Sequence, residues 1–386
     1  METLSLTSDA FRNLASGRLE FHPRLNLVVG DNGQGKSNLF EALALVSGRA
    51  SFRTRDLAEV RTHLAPRSVL SARVRAGGDA RTDTTLGLVL AAGVREHYRD
   101  GKRVTRLTAA RTLPAVFLTS RDLARLSGPA AERRRALDRA ALAVDPEHAR
   151  TLTQYEKARA SKTRLLALSP RYDADEMAVY EATLVETGGR LAVARRQTRA
   201  RLESEIARAA EALGTPFRGI ELELVSDLPA EGDPAALSAA LSALLVRKKA
   251  DERRAQRCLA GPHRDDVLLK VEGVPAAARA SSGETRSFLL AWTLAEMALM
   301  ADAARHTPVL AFDDFDSEWD PRVLGAFAEA LPEEGQIFLS SARPEAVRGL
   351  PLPAGVLYRM SAGRLAREGI LGAGRSATRV ARGGAR

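Results

Sequence analysis

Apolar positions along this chain alternate between two periods. Leu25-Asn26-Leu27-Val28-Val29 is a short, nearly continuous apolar run and predicts a buried strand. A glycine-rich turn follows, and Asn38-Leu39-Phe40-Glu41-Ala42-Leu43 then takes up helical spacing. From about Val69 to Val104 the pattern predicts strands and tight turns, with hairpins at Gly77-Gly78 and Asp100-Gly101, residues that accept positive φ. The texture changes near Pro129 and stays helical to about Leu259, rich in Ala, Leu, Glu and Arg. Within it Met177, Tyr180, Leu184 and Leu191 fall on one stripe, continued less regularly by Leu202, Ile206 and Leu213. Such a stripe reads as core or helix-pair packing. Gly214-Thr215-Pro216 stops one helix, and Gly232-Asp233-Pro234 precedes another. After Gly261 the alternation resumes: a strand at Val267–Val271, a helix from Thr285 to Ala301, and buried strands at Pro308–Phe312 and Gln336–Ser340.

The expected fold class is therefore α/β, one domain assembled from both chain ends with a mainly helical lobe inserted. Its boundaries are 1–127 plus 260–370 for the α/β domain and 128–259 for the insertion. Residues 371–386, mostly Gly, Ala, Ser and Arg, have little to bury and read as a disordered basic tail. There is no internal repeat.

Composition narrows the setting. In 386 residues, 45% are hydrophobic and 27% charged, enough to bury a sizeable core. No run approaches the roughly 20 apolar residues of a membrane helix, and the first residues lack a secretory pattern. The single cysteine, Cys258, rules out an internal disulfide or a cysteine-built metal site, so a reducing, cytoplasmic setting is expected. A net charge of +10 fits either a polyanionic partner or an Arg-rich solvated surface.

The chemistry begins at Gly30-Asp31-Asn32-Gly33-Gln34-Gly35-Lys36-Ser37, which matches the P-loop pattern between a strand and a helix. Its glycines let backbone amides wrap phosphates, Lys36 reaches the terminal phosphates, and the Ser37 hydroxyl binds Mg²⁺. The strand Val309–Phe312 ends in Asp313-Asp314; beside a P-loop, Asp313 faces the metal and Asp314 orients or deprotonates water. Ser281-Ser282-Gly283-Glu284 opens a helix about 30 residues earlier, offering a hydroxyl, free amides and a helix dipole suited to a phosphate. Ser317-Glu318-Trp319-Asp320 follows the acidic pair. P-loop, signature turn, acidic strand and this last segment, the D-loop position, stand in the order of ATP-binding-cassette ATPases.

Within that class the chain resembles the RecF family of bacterial recombinational-repair proteins over most of its length. Phe11-Arg12-Asn13-Leu14 is similar to the family's opening, Ser51-Phe52-Arg53-Thr54 follows the P-loop as expected, and Gly128-Pro129, Glu132-Arg133-Arg134-Arg135 and Asp138 resemble its GP…ERR…D segment. Gly261-Pro262-His263-Arg264-Asp265-Asp266 is the most distinctive run. Ser37 stands where Thr is commoner, and Trp319 replaces an aliphatic residue. The resemblance implies ATP and Mg²⁺ as cofactors and an ATP-induced head-to-tail homodimer, with Ser281 of one protomer meeting the γ-phosphate held by Lys36 of the other. It further implies a clamp on duplex, gapped or junction DNA, cooperation with RecO and RecR to load RecA, and slow hydrolysis that serves release.

Other features have two readings. Arg133, Arg134 and Arg135 suit a DNA-facing surface or a solvated helix face, and so do Lys248 and Lys249 with Arg247, Arg253 and Arg254. His263, Arg264 and Asp265 read as an anchor of the lobe junction or a nucleotide sensor. Ser340-Ser341 stands where transporter ATPases carry a histidine, leaving phosphate sensing to a hydroxyl. The alternative to DNA repair is the ATPase subunit of a transporter or of a defence system.

Overall fold

The computed structural model describes residues 1–75, 82–145, 147–168, 173–215, 217, 219–304, 306–315, 319–347 and 349–372. The expected turn at Gly77-Gly78, Ser317-Glu318 and residues 373–386 of the expected tail lie outside them. The chain packs as two compact units, residues 1–121, 212–214 and 306–386 in the first and 122–211 and 215–305 in the second.

The first unit opens with β1 (Glu2–Asp9), β2 (Gly17–Glu20), β3 (Leu25–Val29) and α1 (Lys36–Val46). There follow β4 (Arg67–Arg75), β5 (Asp83–Ala91), β6 (Val94–Arg99), β7 (Lys102–Val104), α2 (Arg106–Thr112) and β8 (Ala115–Leu118). An antiparallel sheet takes the order β2-β1-β4-β5-β6-β7. Its strands alternate as their sequence does: Leu70, Ala72 and Val74 of β4 and Leu86, Leu88 and Leu90 of β5 are buried on one face. Asp100 and Gly101 both take positive φ, 49° and 77°, and close the tight turn between β6 and β7. Phe40 and Leu43 of α1 join Leu70, Leu86 and Leu88 in one core with Val28 and Phe338.

The second unit contains α3 (Ala124–Ser127), α4 (Ala130–Val144), α5 (His148–Ala167), α6 (Ala174–Ala212), β9 (Ile220–Val225) and α7 (Pro234–Ala255). It continues through β10 (Asp266–Val271), β11 (Val274–Pro275), α8 (Ala276–Arg279) and α9 (Ser282–Ala304). The apolar stripe lies on the 39-residue α6, where Met177, Leu184, Leu191, Leu202 and Ile206 are buried. Tyr155 and Ala158 of α5 pack against Leu184, Leu191 and Cys258. Asp233 caps α7 by accepting from Ala236 N at 2.7 Å, with Pro234 in the first turn. Packing divides the chain differently from the motif-based boundaries: residues 260–305, expected with the chain ends, sit in the second unit. The reason is pairing, since β10 pairs with β9 from Asp266↔Val225 to Val271↔Ile220 and α9 lies on α4. Helix α9 is long and apolar enough to cross a membrane by composition, yet 61% of that stretch is buried in the fold, including Glu296.

The chain returns to the first unit with β12 (Val309–Phe312), α10 (Pro321–Ala330), β13 (Ile337–Ser341), α11 (Pro344–Val347), β14 (Gly355–Ser361) and β15 (Arg364–Leu371). They complete a sheet ordered β15-β14-β3-β13-β12-β8, parallel except for β15. Every residue of β3, β12 and β13 is buried, the physical origin of their continuous apolar runs. Val29 pairs with Ser341 and Phe312 with Leu339, so the carboxyl ends of these three strands lie together. In a parallel sheet, that end is where ligand-binding loops gather.

Candidate nucleotide site

The loop between β3 and α1 holds the glycine-rich run. Gly30 has φ +156° and a Cβ there would meet Met360 O at 2.3 Å; Gly35, at φ +115°, would press on Asn13 Oδ1 at 2.9 Å. Both positions therefore exclude a side chain on conformation and on space. Lys36, 4% exposed, donates from Nζ to Gly30 O at 2.6 Å and Asp31 O at 3.1 Å. The loop's own carbonyls thus hold the ammonium against the cradle, within reach of an arriving phosphate.

Ser37 of α1 and Asp313 at the end of β12 are brought into hydrogen-bond contact. Asp313 is buried, and its carboxyl is raised above the usual range by that burial and by Asp314; Ser340, Ser37 and Lys36 oppose the rise. Hydroxyl and carboxylate oxygens suit a hard divalent cation, which takes its remaining ligands from phosphate and water. Among the described residues no cluster of three or more His, Cys, Asp or Glu side chains offers another metal site. Asp314 adopts φ +54°, a left-handed turn that Asp tolerates better than most residues, and this turns the chain sharply after Asp313.

Ser340 had been read as a phosphate-sensing hydroxyl. It is fully buried in β13, and its Oγ donates to Asp313 Oδ1 at 2.6 Å while accepting from Asp314 N at 2.8 Å. Its place is to fix the acidic pair. Ser341 Oγ accepts from Arg343 N at 2.9 Å.

Two braces around the loop were not legible as such. Asn13 Nδ2 donates to Gly33 O at 3.0 Å, and its Oδ1 accepts from Asn38 Nδ2 at 2.6 Å. Gln34 is held by the β14–β15 turn, where Ala362 N donates to its Oε1 at 2.7 Å and Gly363 N to its backbone oxygen at 2.9 Å. Behind them Arg12 makes a two-pronged pair with the buried Glu41, both contacts at 2.9 Å. Only the spacing of distant segments in the fold creates these contacts, although Arg12-Asn13 stood out as a family-like run. Trp319 packs edge-on to Phe312 with ring centroids 5.3 Å apart, and Asp320 caps α10 by accepting from Arg322 N at 2.7 Å.

In the second unit Ser281, Ser282 and Gly283 are exposed at the start of α9. Ser281 and Glu284 form a reciprocal capping box: Ser281 N donates to Glu284 Oε2 at 2.7 Å, and Glu284 N donates to Ser281 Oγ at 3.2 Å. A hydroxyl and helix-start amides are thereby presented on an open surface.

The basic clusters fare unequally. Arg133 and Arg134, candidates for DNA contact, are turned into their own unit. Arg133 makes a bidentate pair with Asp266 at 2.7 and 2.6 Å, and Arg134 donates to Asp265 O at 2.5 Å. Guanidinium groups so engaged have little left for phosphates. Arg135 is exposed beside Glu132, and of the α7 pair Lys249 is exposed while Lys248 lies 3.8 Å from Asp251.

The Gly261–Asp266 run is the hub of a buried polar network. A Cβ on Gly261 would meet Tyr155 Oη at 2.4 Å. Tyr155 Oη and His263 Nδ1 lie 2.7 Å apart, and His263 Nε2 is 3.2 Å from Cys258 O. Burial holds His263 down at about 4, so it is neutral at ordinary pH. Arg195 reaches Asp265 at 2.8 Å and Asp138 at 2.9 Å. Burial favours a neutral Asp138, but Arg195 and His148 outweigh it and hold its carboxyl at about 2. Of the two readings made for this run, the contacts within its unit are those of an anchor joining α4, α5 and α6.

Residues 3–362 match the family described as the RecF/RecN/SMC N terminal domain. The chain is 34% identical over 371 residues to a protein of Symbiobacterium thermophilum named DNA replication and repair protein RecF, covering 94% of this chain and 97% of that one. A protein of the same name from Magnetococcus marinus is 32% identical over 362 residues, covering 90% and 93%. Among solved structures, a recombination mediator protein RecF bound to ATP superimposes with TM-score 0.83 at 21% identity, covering 95% of this chain and 99% of that one. The Smc head domain of Pyrococcus furiosus gives TM-score 0.54 at 15% identity and 96% coverage of both chains. With a phosphate-cradling loop, a hydroxyl–carboxylate pair at adjacent strand ends and an exposed serine-led helix start already in place, the chain belongs to the RecF family of DNA replication and repair proteins.

Proposed function

We propose that this protein is an ATP-gated DNA-binding protein of recombinational repair and replication-fork maintenance. The observation that carries the reading is the convergence of Ser37 and Asp313 beside Lys36, distant in sequence and in contact only through the β3–β12 sheet. ATP lies along the loop 30–37 with its terminal phosphates at Lys36; Mg²⁺ sits between Ser37 and Asp313; Asp314 positions the attacking water. The exposed Ser281–Glu284 turn meets the γ-phosphate of a second copy, so the nucleotide joins two protomers head to tail. The named relatives act in DNA replication and repair, and the net charge of +10 supports association with a polyanion. On this reading the dimer clamps duplex or gapped DNA, Arg135 and Lys249 being available for backbone phosphates, and works with RecO and RecR to load RecA. Slow hydrolysis then releases it.

Light scattering with saturating ATP and Mg²⁺, with and without duplex DNA, tests this. The wild-type chain doubles in mass, Lys36→Met does not, and Asp314→Asn holds the dimer and prolongs DNA binding. A chain that stays monomeric under all these conditions refutes the proposal.

A further inference from the structure

Phosphate-binding chemistry also gathers elsewhere in the first unit. Strand β6 pairs with β5 at Leu90↔Arg95, Leu88↔His97 and Leu86↔Arg99. The sheet face that carries aliphatic side chains on β5 therefore carries Arg95, His97 and Arg99 on β6. Helix α2 lies against this strand and adds Arg106 and Arg111. The cations are poorly compensated. Burial, and then Arg106, bring Arg95 down to about 10, and burial with Arg95 and Arg106 brings His97 down to about 4. His97 is 3% exposed, and its Nδ1 has no hydrogen-bond partner. Holding such a group of like charges together opposes folding, and a bound anion would relieve it.

At the end of this seam is a cavity of about 370 Å³, lined by Arg99 and Arg111 and by the hydroxyl-bearing Thr82, Thr84, Thr108 and Thr112. No carboxylate lines it among the described residues. The nearest acids are committed elsewhere: Asp83 lies 2.7 Å from Arg75, Glu2 lies 3.5 Å from Arg75, and Asp100 accepts from Thr85 N at 2.8 Å, 3.9 Å from Arg99. The volume is at the small end of ligand pockets, which run roughly 300–1,000 Å³. Guanidinium forks recognise phosphate oxygens through paired donors. With hydroxyl donors on several sides, they match the three free oxygens of a terminal phosphate better than the two of a diester.

We propose that this cavity is a second phosphate site, selective for a terminal phosphate group on a small phosphorylated ligand or at the 5′ end of a nucleic-acid strand. It is separate from the P-loop and takes no part in ATP turnover.

The test uses the full chain with Lys36→Met, which removes the P-loop lysine. Inorganic pyrophosphate is titrated by calorimetry, and a short single-stranded oligonucleotide, with either a 5′-phosphate or a 5′-hydroxyl, by anisotropy. Arg99→Gln with Arg111→Gln, both exposed side chains, and separately Thr84→Val are added to that background, with circular dichroism to verify folding. Pyrophosphate binding weakened about tenfold or more by the arginine changes identifies a small-ligand site, one lost charge-assisted contact accounting for that factor. A preference of about tenfold for the 5′-phosphorylated strand, abolished by the same changes, identifies a strand-end site. The proposal is overturned if neither probe binds with these dependences, or if both variants bind as tightly as the Lys36→Met parent. The pyrophosphate arm needs no DNA, so its result is independent of the repair reading.

Discussion

Ser340→Ala isolates the least expected part of the nucleotide site. The hydroxyl is fully buried and serves two partners, donating to Asp313 at 2.6 Å and accepting from the Asp314 amide at 2.8 Å. Its removal deletes a hydrogen bond to a carboxylate, about 1.5–3 kcal/mol, and takes an acceptor from the Asp314 amide, about 1–3 kcal/mol if that amide finds no replacement. Asp313 is already raised by burial, and Ser340 is the strongest influence opposing the rise. Without it the carboxyl moves further up, and the protonated form, which cannot ligate Mg²⁺, becomes more populated. The defect therefore has a sign in pH: affinity for Mg·ATP falls most at acidic pH and recovers as pH rises. At neutral pH the expected loss is about tenfold, or 1.4 kcal/mol, because part of the cost falls on folding. Calorimetric titration of ATP from pH 6 to 8.5, with Mg²⁺ and again with EDTA, reads this directly. The EDTA series should be nearly unchanged, since the loop amides and Lys36 are untouched. Wild-type Mg·ATP affinity across the pH range, or an equal loss in EDTA, refutes the assignment of Ser340 as the group that poises the acidic pair.

Ser281→Arg should leave ATP binding within about twofold and abolish ATP-induced dimerisation, because the capping box is replaced by a bulky cation on the contact surface; normal dimerisation by light scattering contradicts the shared site. Gly261→Ala forces a Cβ to 2.4 Å from Tyr155 Oη at φ +123°, and should cost about 1–3 kcal/mol or more in chemical denaturation; an unaffected midpoint means the anchor yields freely. His263 is neutral in the fold down to about 4, against an ordinary value near 6.5. The unfolded chain therefore binds its proton first, and stability is lost as pH falls from 6.5 to 4. The full effect is at most about 3 kcal/mol. In His263→Gln that part of the acid sensitivity disappears, and thermal melts that fall in parallel for both proteins over this window disprove the contribution.

Much of the nucleotide site was legible because its chemistry is local. A P-loop works through consecutive backbone amides, so Gly30, Gly33, Gly35 and Lys36 must be adjacent in sequence, and positive φ at the three glycines is a property of a few bonds. The continuous apolar runs at 25–29 and 309–312 likewise reported burial on both faces, which any parallel interior strand requires. The short β8, by contrast, left no pattern to read. It became a strand only by pairing with β12, Val309 to Ala115 through Phe312 to Leu118.

What tertiary structure alone decided is the use to which polar side chains are put. Arg133 and Arg134 read as surface cations in sequence, and only the approach of Asp265 and Asp266, more than a hundred residues away, turned them inward. Ser340 changed from a sensor of phosphate to a support for Asp313 because strand register set it beside that carboxylate. The same dependence on register aligned Arg95, His97 and Arg99 on one sheet face. Backbone preferences and apolar periodicity act over a few residues and are written into the chain. A hydrogen bond or ion pair depends on which distant group arrives within about 3 Å, and that distance exists only once the chain has folded.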